Sequence, residues 1–334
     1  MRSDRMLKKL FILPIIFLLL PGILVAETFA PVGTAVAQFL EIGVGARATG
    51  MGEAFTVMSN DAEACFWNPA GLADVEDYNL FTGYSQWPAD ISIGGIAFAK
   101  TIQGIGTFAI NSVYLMTDDM DITTVDQPEG TGETFAISNY SVGLSFARYL
   151  TDRVSVGITN KIVHEDYFDH GYTTWALDLG TVYRTDFRGL KLGMSILHFA
   201  PEVQFSGKYI DHSDPKSYEA DEEREFDKYS LPINFRVGAA INALEMEDHK
   251  VVIAADMIHP NNNKEQYNAG LEYSMKDMIF LRTGYKMSAY EGGFTVGGGA
   301  KINMMNSLNF MVNYSYSDMG ALEGINRFSV NLLF

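Results

Sequence analysis

The sequence predicts an all-β protein: a transmembrane antiparallel β-barrel of about 14 strands, with an N-terminal plug in its lumen. Three observations predict this fold. Short segments from about residue 78 onwards alternate apolar and polar residues, all the long connections between them fall in one alternate set, and a stretch rich in Gly and Ala without a clear period precedes them. The chain is therefore divided into a signal peptide (1–26), a plug or hatch segment (27–77) and an outer-membrane barrel (78–334).

The first 26 residues have the parts of a cleaved secretory signal peptide: a basic start, an apolar run over residues 10–20, and a small residue, Ala26, at the cleavage point. Cleavage after Ala30 is an alternative. An uncleaved membrane anchor is the other interpretation, but Pro14 and Pro21 shorten the apolar run below the roughly 20 residues of a membrane span. The mature chain is therefore expected to leave the cytoplasm, and no later window is apolar enough for a spanning helix.

The negative net charge of the chain limits the classes of molecule that it can bind. The formal net charge is −17, and removal of the signal peptide, which carries four basic residues and Asp4, changes it to −20 (−17 − 3). Nucleic-acid binding needs clusters of Lys and Arg at the phosphates, so the charge argues against this class of partner. The single cysteine, Cys65, excludes an internal disulfide and a cysteine-based zinc site, and we expect it to serve in packing.

The plug is predicted from residues 43–73, which follow neither the period of a strand nor that of a helix. Small residues let one backbone pass close to another, and Asn68-Pro69 followed by Gly71 makes a turn. This composition suits a compact irregular segment packed inside a larger structure. A barrel of 14 strands is wide enough to enclose such a segment.

Alternation is clearest in the last predicted strand, which has an apolar face and a polar face. The apolar face consists of Phe328, Val330, Leu332 and Phe334. An aromatic last residue in register with that face is characteristic of outer-membrane barrels, and we interpret these four residues as a signal for the barrel-assembly machinery. The polar faces of the strands are too small and too rich in Gly for the solvated sheet of an ordinary sandwich, which is the alternative fold.

Fourteen segments can be counted, beginning near residues 78, 91, 104, 134, 153, 172, 191, 231, 250, 265, 278, 294, 308 and 324. The long connections, such as 118–133 and 208–230, fall in one alternate set, and tight turns such as 101–103 and 275–277 fall in the other. Bacterial barrels have long outer loops and short periplasmic turns, so both ends of the barrel are placed in the periplasm. Pro201 falls in the seventh segment and predicts a bulge or a split strand there.

Residues 46–54 (ARATGMGEA) and 67–72 (WNPAGL) resemble the N-terminal signature of the PorV/PorQ family, which is related to the FadL-type fatty-acid transporters. The signature residues are Arg47, Gly50, Met51, Gly52, Glu53, Trp67, Asn68 and Pro69. The resemblance spans nearly the whole mature chain, with further matching segments at 177–184, 231–238, 254–260, 280–286, 314–318 and 327–329. It implies a FadL-like (OMPP1-like) barrel of 14 strands in the cell outer membrane.

The resemblance also implies a function. The best-understood members are non-enzymatic parts of the type IX secretion system, which bind exported cargo through C-terminal signal domains and shuttle it to the cell surface. The implied partners are these cargo proteins, other secretion-system barrels, outer-membrane lipid and the barrel-assembly machinery. The resemblance does not separate a PorV-like shuttle from PorQ or from other paralogues.

FadL-like uptake is the alternative function, in which a hydrophobic ligand such as a fatty acid enters from outside and displaces part of the plug. Both functions need the same barrel and plug, so the sequence leaves this alternative open. No Gly-x-Ser-x-Gly motif and no phosphate-binding Walker loop occurs in the sequence. We therefore expect no enzymatic activity and no cofactor.

Two groups of charged residues suggest local chemistry. Residues 164–170 (HEDYFDH) include metal-ligand types, but their spacing matches no metalloenzyme pattern, and we expect a solvated acidic loop without a metal. Asp256 and Arg282 are predicted to face the lumen, because a charge facing lipid costs about 2–4 kcal/mol. We expect them to form an ion pair that holds the plug, with Arg47 or Glu53 as its partners in the plug.

Overall fold

Fourteen strands close into one antiparallel barrel. The structure, a computed structural model, describes residues 32–210, 223–287, 293–303, 308–320 and 324–334, so the predicted signal peptide lies outside the described residues. Each barrel strand pairs with the next barrel strand along the chain, and the last pairs with the first. The prediction of a barrel of about 14 strands is confirmed.

The described residues contain twenty strands, of which fourteen form the barrel. In chain order they are β1 (Tyr78–Trp87), β2 (Ile91–Ile102), β3 (Gly106–Met116), β4 (Met120–Asp121), β5 (Thr134–Phe135), β6 (Ser138–Thr151), β7 (Val154–Tyr167), β8 (His170–Arg184), β9 (Lys191–Phe199), β10 (Val203–Gln204), β11 (Lys208–Ile210), β12 (Glu223–Glu225), β13 (Lys228–Tyr229), β14 (Asn234–Glu245), β15 (His249–Pro260), β16 (Gln266–Met275), β17 (Ile279–Met287), β18 (Gly293–Asn303), β19 (Asn309–Asp318) and β20 (Gly324–Leu333). The six short strands form three two-stranded sheets outside the barrel, β4 with β5, β10 with β13, and β11 with β12.

Residues 32–77 precede β1 and are called here the N-terminal segment. It contains 3₁₀ helices over Gln38–Glu41 and Pro69–Asp74 and short α-helices over Ala46–Gly50 and Ala64–Trp67. Helices this short are not stable alone, so packing against the barrel has to hold them. None of the helices in the described parts of the chain is long and apolar enough to cross a membrane.

The connections follow the predicted parity. At one mouth of the barrel the strands are joined by tight turns, such as 103–105 between β2 and β3 and 276–278 between β16 and β17. The long connections, such as 117–137 and 200–233, which include the three small sheets, all lie at the other mouth, together with short ones such as 168–169. Short turns face the periplasm in bacterial barrels, so the two ends are called the short-turn mouth and the outer mouth.

The barrel strands separate apolar from polar side chains as the alternation predicts. In β20, Phe328 is 54% exposed, whereas its neighbours Arg327 and Ser329 are buried. In β19, Tyr314 is exposed and Asn313 is buried. Because successive side chains of a strand point to opposite faces, the polar set lines the lumen and the apolar set faces outward, towards lipid.

The N-terminal segment packs against inward-facing residues on several sides of the barrel. The helix Ala46–Gly50 contacts β17 to β20, and the 3₁₀ helix Pro69–Asp74 contacts β3 and β6 to β8. One apolar cluster joins Phe39 and Leu72 of the segment to residues of β1 to β3 and β6 to β8, and a second joins Phe55 to β14 and β15. The core of the molecule is therefore the contact between this segment and the inner wall.

Two glycines show how closely the backbones approach each other. A Cβ atom at Gly157 of β7 would lie 2.2 Å from the carbonyl carbon of Pro69, and one at Gly52 would lie 2.7 Å from the backbone nitrogen of Tyr285. Gly52 also has a φ of +63°, which favours glycine. A side chain at either position would therefore push the N-terminal segment away from the wall.

Two details of the predicted strands are wrong. The segment expected to begin at Thr134 begins a barrel strand only at Ser138, because residues 134 and 135 pair with β4 at the outer mouth. Pro201 lies after the end of β9 at Phe199 and not inside the strand. A proline at that point removes no ladder hydrogen bond, so the strand count is unaffected.

The irregularity expected near Pro201 occurs a few residues earlier. The β8–β9 pairing shifts register between Leu177 and Leu179, and His198 has a φ of +64°. As a result, the neighbouring residues Leu197 and His198 are both buried. The bulge turns the His198 side chain into the lumen.

Candidate functional site

Arg47 joins the N-terminal segment to the wall. It lies in the helix Ala46–Gly50, whose other residues are small enough to bring the helix close to β18 and β19. Its guanidinium donates two hydrogen bonds to Glu272 of β16, from Nε to Oε2 at 3.0 Å and from Nη2 to Oε1 at 3.1 Å, and a third to Asn60 Oδ1 at 2.7 Å. Both charged side chains are nearly inaccessible to water, which strengthens this two-bond ion pair.

Arg282 of β17 shares the same carboxylate. Its Nε donates to Glu272 Oε2 at 2.6 Å, and its Nη1 donates to Asn313 Oδ1 at 2.9 Å. The expected ion pair between Asp256 and Arg282 is therefore wrong. Strand register is the reason, since Glu272 lies directly opposite Arg282 in the β16–β17 pairing, whereas Asp256 lies on β15.

Asp256 binds the backbone of the N-terminal segment instead. Its Oδ2 accepts hydrogen bonds from Phe55 N at 3.0 Å, from Thr56 N at 2.9 Å and from Thr56 Oγ1 at 2.6 Å. Arg236 of β14 lies 3.6 Å from the same oxygen and donates from Nη2 to the Glu53 carbonyl at 2.8 Å. Asp256 and Arg236 together fix this turn of the segment to the wall.

Glu53 and Glu63 are buried acids of the N-terminal segment with opposite pKa shifts. Burial acts to raise the pKa of Glu53, but the ammonium of Lys286, which binds its Oε1, holds the pKa below its ordinary value. Burial and then the neighbouring Asp61 raise the pKa of Glu63 well above its ordinary value. Neither carboxyl oxygen of Glu63 has a hydrogen-bond partner within the described part of the chain. Glu63 therefore stays protonated to a higher pH than an ordinary glutamate.

Asn68 and Pro69 organise the second half of the N-terminal segment. Asn68 Oδ1 accepts a hydrogen bond from Ala70 N at 3.1 Å and so caps the 3₁₀ helix that follows. Its Nδ2 donates to the Thr56 carbonyl at 2.9 Å. Pro69 occupies the first helical position, where its missing N–H leaves no bond unmade.

Trp67 lies at the centre of the second apolar cluster. Its ring meets the edge of Phe55 at a centroid distance of 5.9 Å, and the Arg236 guanidinium lies over the ring at 4.8 Å. Its Nε1 donates to the Val44 carbonyl at 3.1 Å. The signature residues identified in the sequence thus help to hold the N-terminal segment against the wall.

Glu165 is a buried residue of β7 and not part of a solvated loop, so this expectation is wrong. It is 1% exposed, its Oε2 accepts hydrogen bonds from Ala37 N at 2.8 Å and Tyr172 Oη at 2.7 Å, and its Oε1 accepts one from Tyr167 Oη at 3.0 Å. The strand alternation carried this signal, because Glu165 shares a face with buried Val163. Across the described residues, no three or more His, Cys, Asp or Glu side chains are grouped so that they could hold a metal ion.

A small cavity lies between the N-terminal segment and the wall, below the outer mouth. Its volume is about 50 Å³, and Lys161 and His198 are among its lining residues. Lys161 Nζ donates to Asp178 Oδ2 at 2.8 Å and to His198 Nδ1 at 2.7 Å. Sites for small organic ligands usually measure roughly 300–1,000 Å³, so this cavity has room for water but not for a fatty acyl chain.

Aromatic side chains join the described parts of the outer loops. Phe205 contacts Phe226 at a centroid distance of 5.8 Å and Tyr172 at 5.1 Å, and Tyr209 contacts Phe226 at 5.0 Å. Exposed aromatic residues there include Tyr209, at 36%, and Phe168, at 54%. The outer mouth therefore presents aromatic groups that are held in place by their neighbours.

The four residues predicted to be an assembly signal lie at the seam of the barrel. Phe328 and Phe334 are 54% and 45% exposed on the outward face, and Val330 and Leu332 share that face. Phe334 stacks on Tyr78 of the first strand at a centroid distance of 5.4 Å. The four residues thus lie where β20 meets β1.

Three residues that bind the N-terminal segment to the wall were not predicted from the sequence: Arg236, Glu272 and Lys286. All three stand at inward-facing positions of their strands, as the alternation around them indicates. Alternation was the signal that could have found them. Their partners depend on register between strands, which the sequence does not give.

Comparisons with known proteins agree with this architecture. The family described as Type IX secretion system protein PorV matches residues 26–260. Among solved structures, the chain is similar to a Pseudomonas aeruginosa FadL homologue (12% identity, 86% of this chain and 97% of that chain, TM-score 0.56). It is also similar to the P. putida toluene transporter TodX (11%, 87% and 96%, 0.53) and to the CymD monoaromatic hydrocarbon channel (12%, 87% and 96%, 0.53). At these identities the likeness shows a FadL-like fold alone. No curated protein matches the chain significantly.

Proposed function

Because the chain belongs to the family of the type IX secretion system protein PorV, we propose that it is a non-enzymatic outer-membrane component of protein secretion. In this proposal it binds exported cargo with C-terminal signal domains and shuttles the cargo to the cell surface. The family match over residues 26–260 is the observation that carries the proposal. Other secretion-system barrels, outer-membrane lipid and the barrel-assembly machinery are its further partners, and a cleaved signal peptide directs its export.

In this proposal the N-terminal segment is a plug that closes the lumen, so cargo docks at the outer mouth and does not pass through the barrel. The ion pair of Arg47 with Glu272 and the hydrogen bonds of Asp256 to residues 55 and 56 support a closed lumen. The exposed rings of Phe168 and Tyr209 support docking at the outer mouth, because aromatic anchors dominate the binding energy of many protein interfaces.

The test is affinity purification of the tagged full chain from its own outer membrane in mild detergent, followed by mass spectrometry of the retained proteins and lipids. We expect exported proteins that share a C-terminal domain, or a large translocon barrel. A lone barrel that carries fatty acids or other apolar molecules would contradict the secretion proposal.

Two variants sharpen the test. The double variant Phe168→Ser/Tyr209→Ser removes two exposed aromatic groups of the outer mouth and should lower the recovery of cargo. Phe187→Ser is the matched control, since Phe187 is 64% exposed but lies in a tight turn at the short-turn mouth. Equal cargo recovery with both variants would place docking elsewhere, and heat-modifiable gel mobility checks that each barrel is folded.

FadL-like uptake of hydrophobic small molecules is the second candidate, favoured by the shared barrel architecture. The cavity of about 50 Å³ below the outer mouth does not hold such a ligand while the N-terminal segment is in place. Uptake therefore requires part of the segment to move. Fatty acid retained on purification, together with exposure of the segment when fatty acid is added, would favour this function.

A further inference from the structure

Three lysines converge on a cavity at the short-turn mouth, called here the lysine vestibule. Lys191 of β9, Lys250 of β15 and Lys301 of β18 line it, with Arg47 of the N-terminal segment. Its volume is about 360 Å³, within the range of small-molecule sites. The whole chain has 41 Asp and Glu against 24 Lys and Arg. Three lysines from separate strands around one cavity are therefore an unusual concentration of positive charge.

The lysines of the vestibule form no ion pair within the described part of the chain. Among the described residues, none of their three ammonium groups has a carboxylate oxygen within 4.0 Å. The carboxylates that line the vestibule have other partners: Glu272 is held by two arginines, Asp61 accepts a hydrogen bond from Asn331, and Asp277 accepts one from Ser274. Counting Arg47, the lining has four cationic groups against three carboxylates, so it keeps a small positive excess, and its three lysines form no ion pair with the described residues.

We propose that the lysine vestibule binds a compact oligoanion, a small soluble molecule with two or more phosphate or carboxylate groups. Each lysine offers a point charge and three hydrogen-bond donors. Attraction between opposite charges is stronger in a partly enclosed cavity than in bulk water. The cavity lies inside the wall and is lined by turn residues at the short-turn mouth, such as Gly189 and Asp277, so the ligand arrives from the periplasm and not from the bilayer.

The surroundings of the vestibule select for a compact ligand. A neighbouring depression of about 410 Å³ is lined by Glu245, Glu247 and Asp248, and it shares Lys250 with the vestibule. An extended polyanion such as nucleic acid or a long acidic peptide would meet these carboxylates and be repelled. Lys191 and Lys301 do not line that depression, so a small anion beside these two lysines does not meet its carboxylates.

Isothermal titration of the purified full chain in a non-ionic detergent tests the proposal, with inorganic pyrophosphate in one arm and citrate in the other. We expect saturable binding of at least one of them with a Kd of about 1 mM or tighter. The variant Lys191→Gln/Lys250→Gln/Lys301→Gln should bind at least tenfold more weakly. Comparing the two arms shows whether the site prefers phosphate or carboxylate oxygens.

Lys276→Gln is the matched control, because Lys276 is exposed at the same mouth but does not line the vestibule. Its affinity should stay within twofold of the unaltered protein. The proposal is overturned if neither anion binds saturably, or if the triple variant and the control bind as tightly as each other. Should the triple variant fail to fold, each single Lys→Gln variant is titrated instead, and unchanged affinity in all three overturns the proposal equally.

Discussion

Arg47 of the N-terminal segment and Glu272 of β16 form two parallel hydrogen bonds, at 3.0 and 3.1 Å, across the boundary between the segment and the wall. Arg282 binds the same carboxylate from the wall side. One buried acid is thus shared between two arginines, one from each side of the boundary. Loss of Arg47 breaks the link without leaving Glu272 entirely unpaired.

Arg47→Ala should lower the free energy of unfolding by about 3 kcal/mol, at the lower end of the range for a broken buried ion pair, because Arg282 still compensates part of the Glu272 charge. Urea unfolding in lipid vesicles, followed by tryptophan fluorescence, measures the change. Arg153→Ala is the control: Arg153 pairs with Asp186 at the surface, and a surface pair is worth at most about 1 kcal/mol. Equal losses in the two variants would contradict the importance of the buried pair.

Glu63→Gln should stabilise the protein at neutral and alkaline pH. Because the pKa of Glu63 is raised in the folded state, the unfolded chain ionises first, from about pH 4.5, and this residue lowers stability as the pH rises from there towards the folded pKa. Glutamine removes that loss, which amounts to about 1.4 kcal/mol for each pH unit between the unfolded and the folded pKa. Urea unfolding at pH 4 and pH 8 should show equal stabilities at pH 4 and a more stable variant at pH 8. A constant difference at both pH values would exclude the raised pKa.

Glu53→Gln should have the opposite pH dependence. The pKa of Glu53 is lowered by Lys286 against the effect of burial, so its ion pair stabilises the fold above pH 4.5 and is lost as the pH falls through the folded pKa. The variant should be less stable than the unaltered protein at pH 7, by about 1.5–3 kcal/mol for a hydrogen bond between charged groups. The difference should shrink on acidification. A difference that grows below pH 4 would contradict this assignment.

Gly157→Ala should separate the N-terminal segment from the wall. The added methyl group would lie 2.2 Å from the backbone of Pro69, so one backbone has to shift, at a cost of about 1–3 kcal/mol. Limited proteolysis should cut the segment faster in this variant. Gly298→Ala is the control, because its methyl group would meet only the Phe280 carbonyl oxygen, at 3.6 Å. Faster cutting in both variants would show that the segment is not held by this contact.

The Cys65 thiol should be unreactive in the folded protein. It is 2% exposed, and burial raises its pKa to about 12, although hydrogen bonds from Ser145 and Asn111 oppose the shift. Thiolate is the reactive form, so a maleimide reagent should label Cys65 at pH 7 only after denaturation. Rapid labelling of the native protein in vesicles would mean that the N-terminal segment leaves the wall under those conditions.

The sequence predicts the barrel well because alternation and loop length are local properties of the chain. Alternation also predicts which side of the barrel wall a side chain occupies, as for Asp256 and Arg282, which both lie in the lumen. Their partners could not be read, because a partner across strands depends on register. Glu272 meets Arg282 only because the turn at 276–278 sets them opposite each other.

The sequence predicts the bulge in β9 at the wrong residue for a related reason. Proline interrupts the hydrogen bonding of a strand, so the irregularity is predicted from the sequence at Pro201. The observed irregularity is at His198, whose left-handed backbone is held by tertiary bonds: its N donates to Asp178 Oδ1 at 2.7 Å, and its ring accepts from Lys161. Contacts between distant strands fix the backbone conformation of His198, and no local sequence pattern predicts these contacts.

The seam between β1 and β20 joins the two ends of the barrel sequence. Tyr78 and Phe334 exchange backbone hydrogen bonds of 2.9 and 3.1 Å, which join the first barrel strand to the last. This is the pairing with the greatest separation along the chain, and such pairings are the slowest to form. The N-terminal segment packs against the inner faces of the strands that this seam closes into a ring. Because a closed barrel has no free strand edge, loss of this one pairing would open two edges at once, one on β1 and one on β20.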